Sequence, residues 1–151
     1  MIALLIVPLA LASTYETSTY DIWRDGPPPG RSNAAVCPVT NVNLTITEST
    51  PNVEFHNGQK LYFGTKEAAA AYKASPKDFW LAPHEMPLDG PDGMRGLPDL
   101  RHTVVRCPRS NESLTVDMQT PRVLHRHGQA VYFCCFGCVA AFWRDPVSML
   151  A

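Results

Sequence analysis

The cysteines are the residues best suited to chemistry in this chain, and four of the five lie in its C-terminal third. Cys134, Cys135 and Cys138 stand together where a predicted strand passes into a predicted helix, and Cys107 precedes a proline in a predicted turn. Thiols at a helix N-terminus meet the positive end of the helix dipole, which favours the thiolate. Because the thiolate is the form that binds metals, this cluster is the first candidate site.

The spacing of these thiols predicts a site for a thiophilic metal ion. Residues three or four positions apart share a helix face, so Cys138 can lie beside Cys134 or Cys135. Soft thiolates prefer Zn²⁺ or Cu(I) to Mg²⁺ or Ca²⁺. We predict that Zn²⁺ or Cu(I) is held by Cys107, by Cys138 and by one or both of Cys134 and Cys135, which as neighbours should diverge.

Two other uses of the cysteines stay open at the level of sequence. In an oxidising compartment the thiols would form a disulfide clip without metal. Cys135 and Cys138 also have the Cys-x-x-Cys spacing of thiol-disulfide exchange, although the surrounding βαβ pattern that supports that chemistry is missing. Cys37, the fifth cysteine, would then be free, pair with a thiol of the cluster, or link two chains.

An internal repeat organises most of the chain. Residues 37–80 align without a gap over residues 107–150, with about a third of the positions identical. The shared positions run from Cys-Pro at the start, through Gly-Gln and Tyr-Phe, to a late proline. Matches spread over the whole length indicate duplication of one structural unit.

Each copy is predicted to be an α+β unit in which a strand near Leu44 or Leu114 precedes a β-hairpin, and the hairpin is followed by one helix. Asn57-Gly58 and His127-Gly128 mark the hairpin turn. Thr65 should cap a helix through Lys73, and the second copy should place residues 136–143 on the equivalent helix. His125 and His127 alternate along the predicted strand and would face the same way as added imidazole ligands; alternatively, His127 occupies the turn position of Asn57.

A unit of about 45 residues is too small to be held by apolar burial alone, so it needs a metal, a disulfide or a partner surface. The second copy has the cysteine cluster for this purpose. The first copy keeps only Cys37 and has Gly64, Thr65 and Ala68 at the positions of the three later cysteines. We therefore expect the first copy to be held by packing against the second.

The chain resembles the YHS domains and the related TRASH domains, proposed heavy-metal-binding modules with a treble-clef-like fold. The resemblance rests on Cys107-Pro108, His127-Gly128 and the run from Tyr132 to Cys138, followed by Asp145-Pro146. The first copy matches through Cys37-Pro38, the hairpin glycine and Tyr62-Phe63, but it lacks the later cysteines. The resemblance implies two treble-clef-like modules packed as a pseudo-symmetric pair, with metal binding in the second only. Arg109 and Asn111 depart from the family's usual residues after Cys-Pro.

The first residues favour export. Ile2 to Ala12 form an apolar run of the length of a signal-peptide core, ending at a small-x-small site, and the run is too short to span a bilayer. The predicted organisation is a signal peptide at 1–12, a tether at 13–34, a degenerate module at 35–80, a linker rich in Pro and Gly at 81–105, and a cysteine-bearing module at 106–151.

Composition narrows the classes of function. The formal net charge of −1 and the absence of a basic run give no support to nucleic-acid binding. No local catalytic motif or phosphate-binding glycine loop is visible. The sequence thus predicts a non-catalytic exported metal-binding protein. The main alternative is a disulfide-clipped subunit that docks on a protein partner or larger assembly. The third hypothesis is a thiol-disulfide oxidoreductase.

Overall fold

The structure, a computed structural model, describes residues 34–81, 104–117 and 119–151. The predicted signal peptide, nearly all of the predicted tether and most of the predicted linker lie outside these residues. Within them the protein is α+β, with small antiparallel hairpins and two α-helices. None of the helices in these ranges has the length and apolar character needed to cross a membrane.

Both parts of the chain contain the same elements in the same order: two antiparallel hairpins, an α-helix and a 3-10 turn. In the N-terminal part these are β1 (Ala34–Val36), β2 (Asn43–Thr45), β3 (Asn52–Glu54), β4 (Lys60–Tyr62), α1 (Lys66–Ala74) and the turn Pro76–Phe79. In the C-terminal part they are β5 (Val104–Arg106), β6 (Ser113–Thr115), β7 (Arg122–Leu124), β8 (Ala130–Tyr132), α2 (Phe136–Arg144) and the turn Val147–Met149. The duplicated sequence therefore folds into duplicated elements.

The first hairpin of each part was predicted only in its second strand, near Leu44 or Leu114, and the strand that pairs with it was not indicated by the sequence. Strands β1 and β5 precede the Cys-Pro turn and pair with β2 and β6, in registers that place Ala35 opposite Leu44 and Val105 opposite Leu114. A strand of three residues is too short to show the alternation by which strands are recognised. Each unit is consequently two hairpins and a helix, rather than the single hairpin and helix that we predicted.

The second hairpin turns over more residues than the Asn-Gly signal suggested. Strands β3 and β7 end at Glu54 and Leu124, and Asn57 and His127 lie in the following 3-10 turns with φ of 69° and 66°. Asparagine tolerates this left-handed backbone well, and the next residue in both turns is glycine with positive φ. His127 thus occupies the turn position of Asn57.

The predicted helices are confirmed, each with one further residue at its C-terminus. Thr65 caps α1, its hydroxyl accepting a hydrogen bond from the Ala68 amide at 3.1 Å. Cys135 has the same extended backbone conformation at the equivalent position before α2. The cap therefore places a cysteine at the exposed end of α2, directly beside the other thiols.

The two parts form two hydrophobic clusters, each with residues from both parts, and they exchange equivalent contacts. Phe55 pairs with Leu150 through an isolated β-bridge, and Trp80 pairs with His125 through another. The Ala151 amide donates to the Glu54 carbonyl at 2.9 Å, while Leu81 donates to Leu124 at 3.0 Å. In both pairs of contacts, the residues of the second contact are the repeat equivalents of the residues of the first. The N-terminal part is thus packed against the C-terminal part.

Aromatic side chains fill the larger of these clusters. Phe142 packs on Phe55 and Phe133, with ring centroids 5.7 and 5.2 Å apart. Tyr72 packs on Phe63 at 5.4 Å. All five rings are buried. Because burying such rings contributes much of the apolar stabilisation in a small domain, these residues hold the repeats together.

His125 and Tyr72 form a buried polar pair between the two parts. The ring of His125 is fully buried, and its Nε2 atom lies 2.8 Å from the Tyr72 hydroxyl. At the corresponding positions of the repeat the protein has two apolar rings, Phe55 and Phe142. Burial lowers the pKa of His125 to about 3, so the ring is neutral near pH 7.

Replacing both members, Tyr72→Phe with His125→Phe, should remove an acid-sensitive component of stability. The unfolded chain takes up a proton at His125 near pH 6.5, whereas the native protein does so only near pH 3. The free energy of unfolding of the wild type therefore falls as the pH drops through this window, by up to about 1.4 kcal/mol per pH unit. We expect the double variant to lose about 2 kcal/mol less than the wild type between pH 7.5 and pH 5.

Urea unfolding of both proteins at the two pH values measures this difference, because the contributions of all other titrating groups are common to the wild type and the variant. His127→Asn is the matched control: it removes an exposed histidine and installs the residue found at Asn57. An equal loss of stability in the double variant and in the wild type would contradict the assignment.

Candidate metal centre

Three separate elements bring three cysteines together. Cys107 follows β5 in the Cys-Pro turn, Cys134 lies just after β8, and Cys138 lies in the first turn of α2. Their Sγ atoms all lie within 4.8 Å of one another. Cys107 and Cys138 are buried and Cys134 is partly buried. This group could hold a metal ion.

The spacing of the sulfurs suits metal coordination better than a covalent bond. The Sγ atoms of Cys134 and Cys138 are 3.6 Å apart. Zinc–sulfur bonds of about 2.3 Å in a tetrahedron place the sulfurs about 3.8 Å apart, whereas a disulfide needs about 2.05 Å. All five cysteines of the chain lie in the described residues, and all are free thiols.

Cys135, the fourth predicted ligand, stands beside this group rather than inside it. Its side chain is exposed, and its Sγ lies 3.5 Å from that of Cys138. The Cys138 amide, and then the Cys138 thiol, lower the pKa of Cys135. As expected for neighbours in an extended chain, Cys134 and Cys135 diverge, one toward the core and one toward solvent.

The Cys-Pro turn favours the thiolate form of Cys107. Burial disfavours its thiolate, but the Ser110 hydroxyl and the amides of Cys134, Ser110 and Arg109 donate hydrogen bonds that lower the pKa of Cys107 to about 7. The backbone of the turn is held by two bonds, from Cys107 to the Glu112 carbonyl and from Asn111 to the Cys107 carbonyl. The first thiolate of the group therefore forms readily at neutral pH.

The pKa values of Cys134 and Cys138 are shifted in the opposite direction. Burial, followed by the adjacent thiols of Cys135 and Cys134, raises the pKa of Cys138. Burial also raises the pKa of Cys134, with a contribution from Cys107. Burial and the neighbouring cysteines thus keep these two thiols protonated. A bound cation would reverse this effect and displace their protons.

Ser110 and Arg109 support the site. Ser110 was not singled out from the sequence, and Arg109 was noted there only as a departure from the family's usual residues. The Ser110 hydroxyl lies 3.2 Å from the Cys134 sulfur, and the Arg109 guanidinium donates to the Gly137 carbonyl at 3.3 Å. Asn111 ends the turn with a φ of 62°. The repeat carried a signal for Ser110, because Thr40 stands at the same place after Cys37-Pro38. Arg109 has no such counterpart, since Val39 occupies that place.

The histidines do not join the thiols. His125 is buried against Tyr72, whereas His127 is exposed in the 3-10 turn. The expectation that they face the same way is wrong, because the strand ends before them and the alternation of sides no longer applies. Within residues 34–81, 104–117 and 119–151, the metal-competent group contains cysteines only.

The N-terminal part keeps the Cys-Pro turn of this arrangement but lacks the other two cysteines. Cys37 is fully buried, and its sulfur accepts a hydrogen bond from the Thr40 amide at 3.4 Å. Burial opposes its ionisation, but the Thr40 hydroxyl and the Gly64 amide outweigh this and lower the pKa of Cys37. With Gly64 and Ala68 in place of the later cysteines, Cys37 has no second sulfur beside it from its own copy.

Comparison with known proteins assigns neither a family nor a function to the chain. No family model matches the chain, and neither the curated proteins nor the solved structures contain a significant match to it. Its function is therefore argued from the thiol cluster itself.

Proposed function

We propose that the chain is a non-catalytic metal-binding protein whose C-terminal part holds Zn²⁺ or Cu(I). The convergence of the Cys107, Cys134 and Cys138 sulfurs within 4.8 Å is the observation that supports this proposal most directly. Three thiolates suit both ions: zinc would have a fourth position left for another ligand, and Cu(I) accepts low coordination numbers with soft sulfur. The three thiols would lose their protons as the ion binds, so that the ion is held by thiolates.

The proposal extends to the architecture and family of the chain. The two parts would be YHS-like or TRASH-like modules of treble-clef type, packed as a pseudo-symmetric pair with the first copy degenerate. The equal order of elements and the reciprocal contacts between equivalent positions support this view. In this proposal, the hairpin that carries Cys107, the hairpin before Cys134 and the helix that carries Cys138 would be the parts of such a module. Export stays part of the proposal and rests on the apolar N-terminal run alone.

Metal analysis of the natively purified chain tests the function. We expect about one zinc or copper ion per chain and five titratable thiols after denaturation in chelator. Cys138→Ser should reduce the bound metal to near zero, because Cys138 lies beside both Cys134 and Cys135. Cys37→Ser is the matched control, since it removes a buried cysteine outside the group and should leave the metal content unchanged.

The same measurement separates the main alternative. The sulfurs of Cys138 and Cys135 are close enough that a small side-chain rotation would allow a disulfide to form. A chain without metal and with two or four thiols missing would be a disulfide-clipped interaction domain, and the metal proposal would then be abandoned.

A further inference from the structure

The cysteine cluster is divided between a buried side and an exposed side. Cys107 is fully buried and Cys138 is 5 % exposed, whereas Cys135 lies in solvent. Cys135 is the only exposed thiol of the five in the chain, all of which the structure describes. Cys135 is therefore the sulfur of the cluster most accessible to an acceptor in solution.

Cys138 links the two sides. Its sulfur lies 3.6 Å from Cys134 and 3.5 Å from Cys135, so it can be a neighbour of both in turn. An ion bound to Cys138 could exchange its bond to Cys134 for a bond to Cys135 through a change of side-chain rotamer.

The chain beside Cys135 leaves its sulfur uncovered. Gly137 lies in α2, and a Cβ atom at that position would stand 3.7 Å from the Cys135 sulfur. Nothing at position 137 shields the thiol, and Cys135 and Gly137 are both exposed. At the corresponding positions the first copy has Thr65, which caps α1, and Glu67. The exposed thiol thus belongs only to the copy that has the buried cluster.

We propose that Cys135 is an exchange ligand through which the ion held by Cys107, Cys134 and Cys138 passes to an incoming thiol-bearing acceptor. This inference rests on the proposed function. In the transfer, the Cys135 sulfur binds the ion as its bond to Cys134 breaks, and thiolates of the acceptor then replace the protein sulfurs one at a time. The ion keeps its oxidation state. The protons of the Cys135 and acceptor thiols pass to water, and the released protein thiolates take protons from water.

Cys135→Ser tests the exchange role. The variant and the wild type are loaded with Zn²⁺ alone, and transfer to an excess of a small dithiol chelator is followed by elemental analysis of the separated protein. We expect Cys135→Ser to keep about one ion per chain with an affinity within about threefold of the wild type, and to transfer it at least about tenfold more slowly. Cys134→Ser, which removes a ligand of the buried group, should instead lose affinity.

Alkylation of the loaded wild type with iodoacetamide supplies an independent measurement. Cys135 should react first and leave the ion in place, while Cys107, Cys134 and Cys138 are protected. Transfer by Cys135→Ser at the wild-type rate would overturn the exchange role. Loss of the ion in Cys135→Ser, or equal protection of Cys135, would make it a resident ligand and would also overturn it. A wild type that holds no ion would overturn the proposed function as well, which distinguishes the two failures.

Discussion

A chain with Gln59→Ala should lose about 3–5 kcal/mol of its free energy of unfolding, more than any exposed substitution would remove. Gln59 is only 1 % exposed. Its side-chain amide donates to the carbonyls of Arg106 and Tyr132, both at 2.8 Å, and its Oε1 accepts from the Tyr132 amide at 2.9 Å. Alanine would remove these three hydrogen bonds to backbone groups of the other part, at about 1–3 kcal/mol for each buried group that loses its bond.

Gln129 makes the corresponding bonds in the opposite direction. Its side chain donates to the carbonyls of Val36 and Tyr62 at 2.8 and 2.7 Å, and accepts from the Tyr62 amide at 2.8 Å. Strands β4 and β8 are therefore joined by two glutamine side chains. Because a small domain has a total stability of about 5–15 kcal/mol, the double variant Gln59→Ala with Gln129→Ala should be unfolded at room temperature.

Chemical denaturation followed by circular dichroism measures both effects. Gln119→Ala is the matched control, since Gln119 has an exposed side chain in the C-terminal part. Gln59→Glu keeps the size and the acceptor oxygen but removes both donors, so it should also be strongly destabilised. If Gln59→Ala and Gln119→Ala unfold at the same urea concentration, the glutamine bonds do not hold the two parts together.

The repeat made much of the fold predictable from the sequence. Thr65 followed by Lys66 and Glu67 is a helix start with a physical cause, and the helix begins where this signal places it. The Gly-Gln match between the copies was visible as well. No sequence rule shows, however, that Gln59 is buried, because glutamine is usually exposed and its partners are backbone groups of a distant segment. The contact between the copies depends on such partners.

The thiol cluster was predictable in composition and only partly in arrangement. Cys134 and Cys135 were expected to diverge, but their spacing to Cys138 allowed either of them to face the core. Which of the two cysteines faces the core depends on where β8 ends. Phe133, which follows the strand, is buried, and Cys134 comes directly after it on the side of the core. The role of His125 was missed for a related reason. Its partner Tyr72 lies in the other copy, and a pattern within one segment cannot show it.

Installing two cysteines in the N-terminal part should create a second metal site. Gly64→Cys with Ala68→Cys reproduces, beside Cys37, the positions of Cys134 and Cys138 beside Cys107. A Cβ atom at Gly64 would meet Thr40 Oγ1 at 3.5 Å and Leu44 Cδ2 at 3.6 Å, which are ordinary contacts. The buried Cys37 thiol already has the Thr40 and Gly64 hydrogen bonds that lower its pKa, as Ser110 and Cys134 do for Cys107.

We expect bound zinc to rise from about one to about two ions per chain in this variant, as measured by elemental analysis after gel filtration. Gly64→Ser with Ala68→Ser is the control, because it adds side chains of similar size without soft ligands. The same two cysteines placed in the Cys138→Ser chain should restore about one ion, now held in the N-terminal part. A folded double-cysteine variant that still binds one ion would show that the two turns differ in geometry, and that the likeness between the copies does not extend to the positions of their thiols.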